Sequence, residues 1–261
     1  MTTGSLLWRG MIVGLVSGIL AFGLLKTMGE PAVDRAIAFE TAMDEAKAKA
    51  EHDAAVAKGE NPPPAEQEPE LVSRPVQGGI GLFTGAMVYN VAFGGLFALA
   101  FAVCYGRMGN YNPRVAAALI ALSGFVAIYA VPILKYPANP PSVGNPDTIS
   151  IRTAIYFGMI LLSFASMIAA WTVRNRLVDQ FGAWNATLIG LAVYLVAVVI
   201  FAFLLPPLNE VPEGFPAVVL WQFRMASLGA QAIMWTVIGL GFGAWVQHDL
   251  APAAQGRLQP A

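Results

Sequence analysis

Six long apolar runs constrain this chain more than any other feature. A helix needs about 20 mostly apolar residues to cross a hydrocarbon core of about 30 Å. The runs lie at about 6–28, 79–105, 114–134, 153–173, 184–206 and 222–247. Only 12% of the 261 residues are charged, against about 25% in an average soluble domain. The sequence therefore predicts an all-α, polytopic transmembrane helix bundle of about six spans, forming a single domain over 1–261.

The basic residues in the short connections predict the orientation of this bundle. Arg107 and Arg114 lie between the second and third spans, and Arg174 and Arg176 follow the fourth. Short loops rich in Lys and Arg stay on the cytoplasmic side of a membrane. We therefore expect both termini in the cytoplasm, with the first span retained as an anchor.

Three polar segments then share the outer side, at 29–78, 135–152 and 207–221. Residues 34–58 are rich in Ala, Glu and Lys and predict an acidic helix outside the membrane, whereas the prolines and acids of 61–77 predict an extended, mobile tether. The other two segments are proline-rich, and proline fixes φ near −65°. They predict stiff loops forming an outer cap, with Lys135, Asn139 and Arg152 as candidate cap residues.

Few polar side chains lie within the spans, and each of them needs a partner or a function. Asn90, Arg224 and Gln231 are the candidates for a transport path. Arg224 and Gln231 are two helical turns apart and share one face. The alternative is structural: an arginine that reaches the interface and an amide that bonds a neighbouring helix.

The outer loops also offer oxygen ligands. Asp147 and Glu210, together with Asn209 and backbone carbonyls, suit a hydrated divalent cation. Two histidines and one cysteine are too few for a tight transition-metal cage. The alternative is loop packing, with Glu210 paired to Arg224 or Arg152.

No motif indicates catalysis, so we predict that the chain is not an enzyme. The sequence contains no Walker loop, GxGxxG or HExxH, and we expect no cofactor and no nucleic-acid partner. A membrane enzyme using Glu210 and Glu213 as acid and base is a further alternative. Glycines four residues apart, Gly14 with Gly18 and Gly81 with Gly85, predict close helix packing within the bundle, with a homo-oligomer seam as the alternative.

Several segments carry a resemblance to a known family. The stretches GEPAVDRAIAFE, VSRPVQGGIGLFTG, LKYPANPPSVGNPDTISIRT, LLPPLNEVPEGFPA and LWQFRMASLGAQ resemble the CbtA family of predicted cobalt transporter subunits over nearly the whole chain. This resemblance implies cobalt uptake for cobalamin synthesis across a bacterial plasma membrane. It also implies a small single-span partner, CbtB, with a histidine-bearing metal-binding end.

The resemblance adds candidate metal residues. Glu30 and Glu40 match acidic positions after the family's first span, Asp147 and Arg152 match the loop before span four, and Glu210 and Arg224 match the last outer loop and span. The metal candidates are thus Glu30, Glu40, Asp147 and Glu210, with cobalt as substrate. The chain departs from the family in showing six spans where five are often described.

Two function hypotheses follow. The first is a membrane subunit that admits a divalent cation, with outer carboxylates raising its local concentration. The second is a structural or accessory subunit of another membrane complex. A water-filled path lined by Asn90, Gln231 and Arg224 would favour transport, whereas a solid apolar core with a flat glycine face would favour assembly.

Overall fold

A computed structural model describes residues 1–59, 72–141 and 143–255, and within these ranges all regular structure is helical. The long helices are α1 (Thr3–Lys58), α2 (Arg74–Cys104), α3 (Pro113–Lys135), α4 (Ile149–Leu204) and α5 (Ala217–Gln255). A short 3₁₀ turn, Pro146–Thr148, precedes α4. Each long helix is long and apolar enough to cross a membrane. The predicted all-α membrane helix bundle is confirmed.

Helix α4 spans 56 residues but is a helical hairpin. Gly182, with φ 76° and ψ 163°, divides it into a first arm (149–181) and a second arm (183–204). The arms are antiparallel, because Ser163 Oγ lies 2.8 Å from Tyr194 Oη while a Cβ on Gly190, nearer the turn, would lie 3.1 Å from Arg174 Cβ.

The position of this turn corrects the predicted connection between the fourth and fifth spans. The sequence placed a polar loop over 174–183, but the chain stays helical on both sides of Gly182 and turns at that residue. Glycine alone adopts such a positive φ without steric cost. At 1.5 Å per residue the first arm is about 50 Å long and the second about 33 Å, so each is long enough to cross a core of about 30 Å. The count of six spans stays a prediction.

Helix α1 joins the first predicted span to the acidic helix without a break. A π-helical turn, Leu25–Gly29, lies at the junction, and the Glu30 N–H bonds to the Leu25 carbonyl five residues back. Pro31 follows immediately; its missing N–H and bulky ring disrupt an ordinary turn, and the wider π turn accommodates them. At 1.5 Å per residue α1 is about 84 Å long, so its second half extends beyond a core of about 30 Å.

The predicted tether at 61–77 is corrected at its end. Its residues up to 71 lie outside the described residues, but Arg74 to Gln77 already belong to α2. Helix α2 carries its own π turn, Gln77–Gly81, and Lys26 Nζ donates to the Gly78 carbonyl there at 2.7 Å. This hydrogen bond links the widened turns of α1 and α2 at one end of the bundle.

Helices α1 and α2 are packed antiparallel with backbone in contact. A Cβ on Gly94 would lie 2.1 Å from the Gly10 carbonyl oxygen, and one on Gly14 would lie 2.3 Å from that of Asn90. Gly18 faces Met87. The predicted packing of Gly14 and Gly18 within the bundle is confirmed, whereas a Cβ on Gly85 would meet nothing within 4 Å. We call this contact, from Gly10 to Gly18 and from Met87 to Ala98, the glycine seam.

The hydrophobic core joins α1, α2, α3 and α5, and the α4 hairpin lies beside it. The largest fully buried side chains of the core are Phe101, Met234, Ile238 and Phe242. Only 11% of the most apolar window of α4 is buried, against 28% to 39% in the other long helices. Helix α4 contacts the rest of the bundle mainly through the second half of α3. This loose attachment leaves space between the hairpin and the core.

Candidate functional site

A cavity of about 1500 Å³ opens between the first arm of α4 and the outer ends of α2, α3 and α5. We call this the outer cavity, and the end of the bundle that carries residues 29–41, 135–141, 143–152 and 207–216 the outer end. Its polar and aromatic lining includes Glu40, Tyr89, Tyr129, Lys135, Asn139, Arg152, Tyr156, Asn209, Glu210, Arg224, Ser227 and Gln231. Arg152, Tyr156 and Ile160 are spaced four apart on the first arm, so they present one face to the cavity.

Two proline-rich loops close over this cavity and are held together by Glu210. Its Oε1 accepts a hydrogen bond from the Thr148 hydroxyl at 2.5 Å, and its Oε2 accepts one from the Asn145 N–H at 3.0 Å. Arg152 Nε lies 3.2 Å from the same Oε2. In addition, the Tyr136 hydroxyl donates to the Pro206 carbonyl at 2.8 Å. The loops therefore form a cross-linked cap, which is the loop-packing alternative for Glu210, with Arg152 as its partner.

The surroundings of Glu210 favour its charged form. The Thr148 hydrogen bond is the largest influence and lowers the pKa of this carboxyl below its ordinary value. Partial burial acts in the opposite direction, while the Asn145 N–H and the Arg152 charge add to the lowering. Glu210 is thus a carboxylate at neutral pH, with its oxygens occupied by protein donors.

Arg224 is held at the cavity wall by neutral acceptors. Its Nε donates to the Ala138 carbonyl at 3.1 Å, and its Nη2 donates to Asn139 Oδ1 at 3.0 Å. Both acceptors belong to the loop after α3, so Arg224 ties α5 to the cap. Within the described residues no carboxylate oxygen lies within 4.0 Å of its guanidinium.

Deeper in the cavity the polar groups are uncharged. Gln231 Nε2 donates to the Tyr89 hydroxyl at 3.2 Å, which leaves its amide oxygen as an acceptor. The Tyr129 hydroxyl and the Ser227 hydroxyl lie 3.0 Å apart. Tyr129 lies in the π turn of α3, Phe125–Ala130, and π turns are frequent at functional sites. The floor of the cavity thus combines hydroxyl and amide groups with aromatic rings.

The amino-acid sequence was compared with models of known protein families. A family model described as "Probable cobalt transporter subunit (CbtA)" matches residues 3–247, nearly the whole chain. The chain belongs to the CbtA family. No curated protein and no solved structure matches it. CbtA membership confirms the resemblance seen in the sequence, supports a role as a transporter membrane subunit and, through the word subunit, implies partner proteins.

The outer cavity of this CbtA chain gathers most of the candidate residues. All of them line it except Glu30, Asn90 and Asp147. Asn90 is buried at the glycine seam, where its Oδ1 accepts from the Ser17 hydroxyl at 2.8 Å and its Nδ2 donates to the Ala86 carbonyl at 2.9 Å. It acts there as a contact between helices, so the cavity wall contains only two of the three residues named for a path.

The four candidate carboxylates lie in different surroundings. Glu30 is paired with Arg74 at 2.6 Å, and Arg74 also holds Asp34 at 2.9 Å. Glu40 is exposed at the cavity rim, and Asp147 is exposed in the cap. In the part of the chain that the structure describes, no three His, Cys, Asp or Glu side chains form a group that could hold a metal ion.

Sequence reasoning missed the aromatic hydroxyls of the cavity. Tyr89, Tyr129 and Tyr156 come from three different helices and line the same space. A signal was available for Tyr156, which follows Arg152 by one helical turn on the same face. Tyr89 and Tyr129 gave no comparable signal, because tyrosine within a span is compatible with packing as well as with a cavity.

Proposed function

We propose that this chain is the membrane subunit of a cobalt transporter that feeds cobalamin synthesis, and that the outer cavity is its entry. Membership of the CbtA family supports the cobalt substrate. The cavity supports a transport role, since it brings Arg224 and Gln231 to one space between helices that are long enough to cross a membrane.

The metal-binding imidazoles would come from a partner. The chain has two histidines, His52 and His248, and both lie outside the predicted spans. A small single-span subunit of the CbtB type, with a histidine-bearing end, would capture the ion and deliver it to the cavity. Glu40, at the rim, is the candidate carboxylate best placed to attract a cation to the cavity, because Glu30 and Glu210 already pair with arginines and Asp147 does not line the cavity.

The proposed setting is the bacterial plasma membrane, with both termini in the cytoplasm. Arg9 pairs with Asp249 at 2.6 Å, so the beginning of α1 and the end of α5 lie together. Arg174 Nη2 donates to the Tyr111 hydroxyl at 3.2 Å, so the turn of α4 lies beside the loop between α2 and α3. Arginines in short connections thus collect opposite the outer end, in agreement with a cytoplasmic location.

An accessory subunit without transport activity is the second candidate. The α4 hairpin favours it, since its second arm exposes large apolar side chains that lipid or a partner helix can cover. Trp184, Phe203 and Leu204 are 75%, 86% and 73% exposed. A glycine face, by contrast, offers little support, because Gly10, Gly14 and Gly94 are used within the chain.

Filling the cavity separates these candidates. Thr153 lines the cavity on the first arm of α4, and Ala154, the next residue, is exposed and does not. We expect Thr153→Trp to lower cobalt accumulation several-fold in cells that lack their own uptake system and express the chain with its small partner. Ala154→Trp should leave accumulation unchanged. If folded, inserted protein supports no accumulation with or without the partner, the accessory role is favoured.

A further inference from the structure

The charges around the outer cavity do not balance. Five charged side chains line it, namely Glu40, Lys135, Arg152, Glu210 and Arg224. Glu210 and Arg152 form an ion pair at 3.2 Å and together contribute no net charge. Lys135 and Arg224 remain against Glu40 alone, so the described lining is positive. A bare divalent cation would be repelled by both Lys135 and Arg224.

Arg224 is oriented but not neutralised. The Ala138 carbonyl and the Asn139 amide oxygen hold Nε and Nη2, which fixes the plane of the guanidinium, and Nη1 donates no hydrogen bond within the described residues. A partly buried cation bonded only to neutral acceptors is costly, and an anion that enters the site relieves this cost. A fixed guanidinium matches the oxygens of a carboxylate particularly well.

Lys135 provides a second cation in the lining of the same cavity. Its ammonium lies 5.7 Å from the centre of the Tyr136 ring and, within the described residues, forms no hydrogen bond or ion pair. Deeper in the cavity the lining offers uncharged polar groups: the Gln231 amide and the hydroxyls of Tyr129 and Ser227. Such a set of two cations and several neutral donors, in a space of about 1500 Å³, suits an anion with more than one carboxylate.

We infer that the outer cavity binds a small organic anion bearing carboxylates, with Arg224 and Lys135 as its charged contacts. The inference deepens the proposed function: a divalent cation would enter the cavity together with such an anion, as a chelate, and not alone. The proline-rich loops at 136–141, 143–144 and 208–211 form much of the wall, so the site faces a water-soluble anion and not a lipid headgroup.

Citrate is a suitable probe, with the purified full-length chain in a neutral detergent and isothermal titration calorimetry as the measurement. We expect saturable binding of citrate both without cobalt(II) and with an equimolar amount of it. Arg224→Gln should weaken this binding about tenfold or more, because it removes the oriented cation. Lys135→Gln, which removes no hydrogen bond or ion pair within the described residues, should weaken it several-fold, and Arg176→Gln at the opposite end should not change it.

Several outcomes would overturn the inference. One is no heat of citrate binding to folded wild-type protein; another is equal affinity in wild type, Arg224→Gln and Lys135→Gln. A third is loss of citrate binding in nanodiscs containing phosphatidylglycerol but not in those of phosphatidylcholine, which would assign the site to a lipid phosphate. Citrate binding is measured without transport, so a failure of cobalt accumulation would leave this site standing.

Discussion

The glycine seam and the outer cavity show how the same bundle treats polar groups in two different ways. Both contain a primary amide within a span, Asn90 in the seam and Gln231 in the cavity. In the seam, backbones touch and Asn90 is 4% exposed, with both ends of its amide satisfied by Ser17 and Ala86. In the cavity, Gln231 bonds Tyr89 through its nitrogen and keeps its oxygen available.

The difference arises from the residues that surround each amide. Glycines at 10, 14 and 94 let α1 and α2 approach until no space is left, so a polar side chain there can only join helices. The cavity that Gln231 lines also has prolines, tyrosines and long cationic side chains in its wall, and the helices there leave space between them. The neighbours of a polar residue therefore decide whether it joins two helices or lines a cavity, and each region can be perturbed separately.

The largest effect is expected in the seam, for Gly94→Val. A Cβ at this position would lie 2.1 Å from the Gly10 carbonyl oxygen, which is backbone and cannot rotate away. We expect a loss of stability above the usual overpacking cost of about 1–3 kcal/mol, and little monodisperse protein in detergent. Size-exclusion chromatography and thermal unfolding measure this. Gly85→Val, which faces open space, is the control; similar behaviour of the two variants would contradict the packing described for the seam.

In the cavity, Gln231→Leu should change transport and leave stability nearly intact. The substitution removes an amide oxygen from the cavity floor and a single bond to Tyr89, whose hydroxyl remains next to open space. We expect cobalt accumulation to fall several-fold in cells that also express the partner, with the melting temperature little changed. Asn185→Leu, an exposed amide on the second arm of α4, is the matched control. Cobalt uptake at the wild-type level by Gln231→Leu would show that the cavity floor is not part of the proposed transport path.

Asn90→Leu should show the opposite pattern. It removes the bond to Ser17 between α1 and α2, and interhelical hydrogen bonds in membranes are worth about 0.6 kcal/mol on average and about 1.7 kcal/mol at most. We expect a loss of stability of this size and unchanged cobalt uptake per folded molecule. Unfolding in denaturant and uptake normalised to inserted protein measure the two quantities. Reduced uptake at unchanged stability would restore Asn90 to the transport path.

The sequence predicts helices well here because each span-length apolar run must satisfy its backbone internally. The prolines around Lys135, Asn139 and Arg152 also predict stiff polar loops; Asn139 and Arg152 form polar contacts in the cap, while the cap role of Lys135 stays a prediction. The sequence could not separate Asn90 from Gln231, because hydropathy reports depth in a bilayer and not which helices approach closely. The sequence also did not predict that α1 continues through Pro31, because the π turn that accommodates this proline has no clear sequence signature.

The smallest effect concerns the cap, where low pH should weaken the contacts by which Glu210 joins the two proline-rich loops. Its pKa is lowered in the folded protein, so its contribution to stability is fully present above the unfolded pKa of about 4.3 and is lost as pH falls through the lower folded value. We expect the melting temperature of wild type to exceed that of Glu210→Gln by a constant amount from neutral pH to about pH 5, with the difference shrinking below about pH 4. Glu213→Gln, an exposed acid in the same loop, should follow wild type throughout. If the difference in melting temperature between wild type and Glu210→Gln persisted at the lowest pH, the charge of the carboxylate would not be what joins the two loops. The hydrogen bonds of Tyr136 and Arg224 would then be the contacts that stabilise the cap.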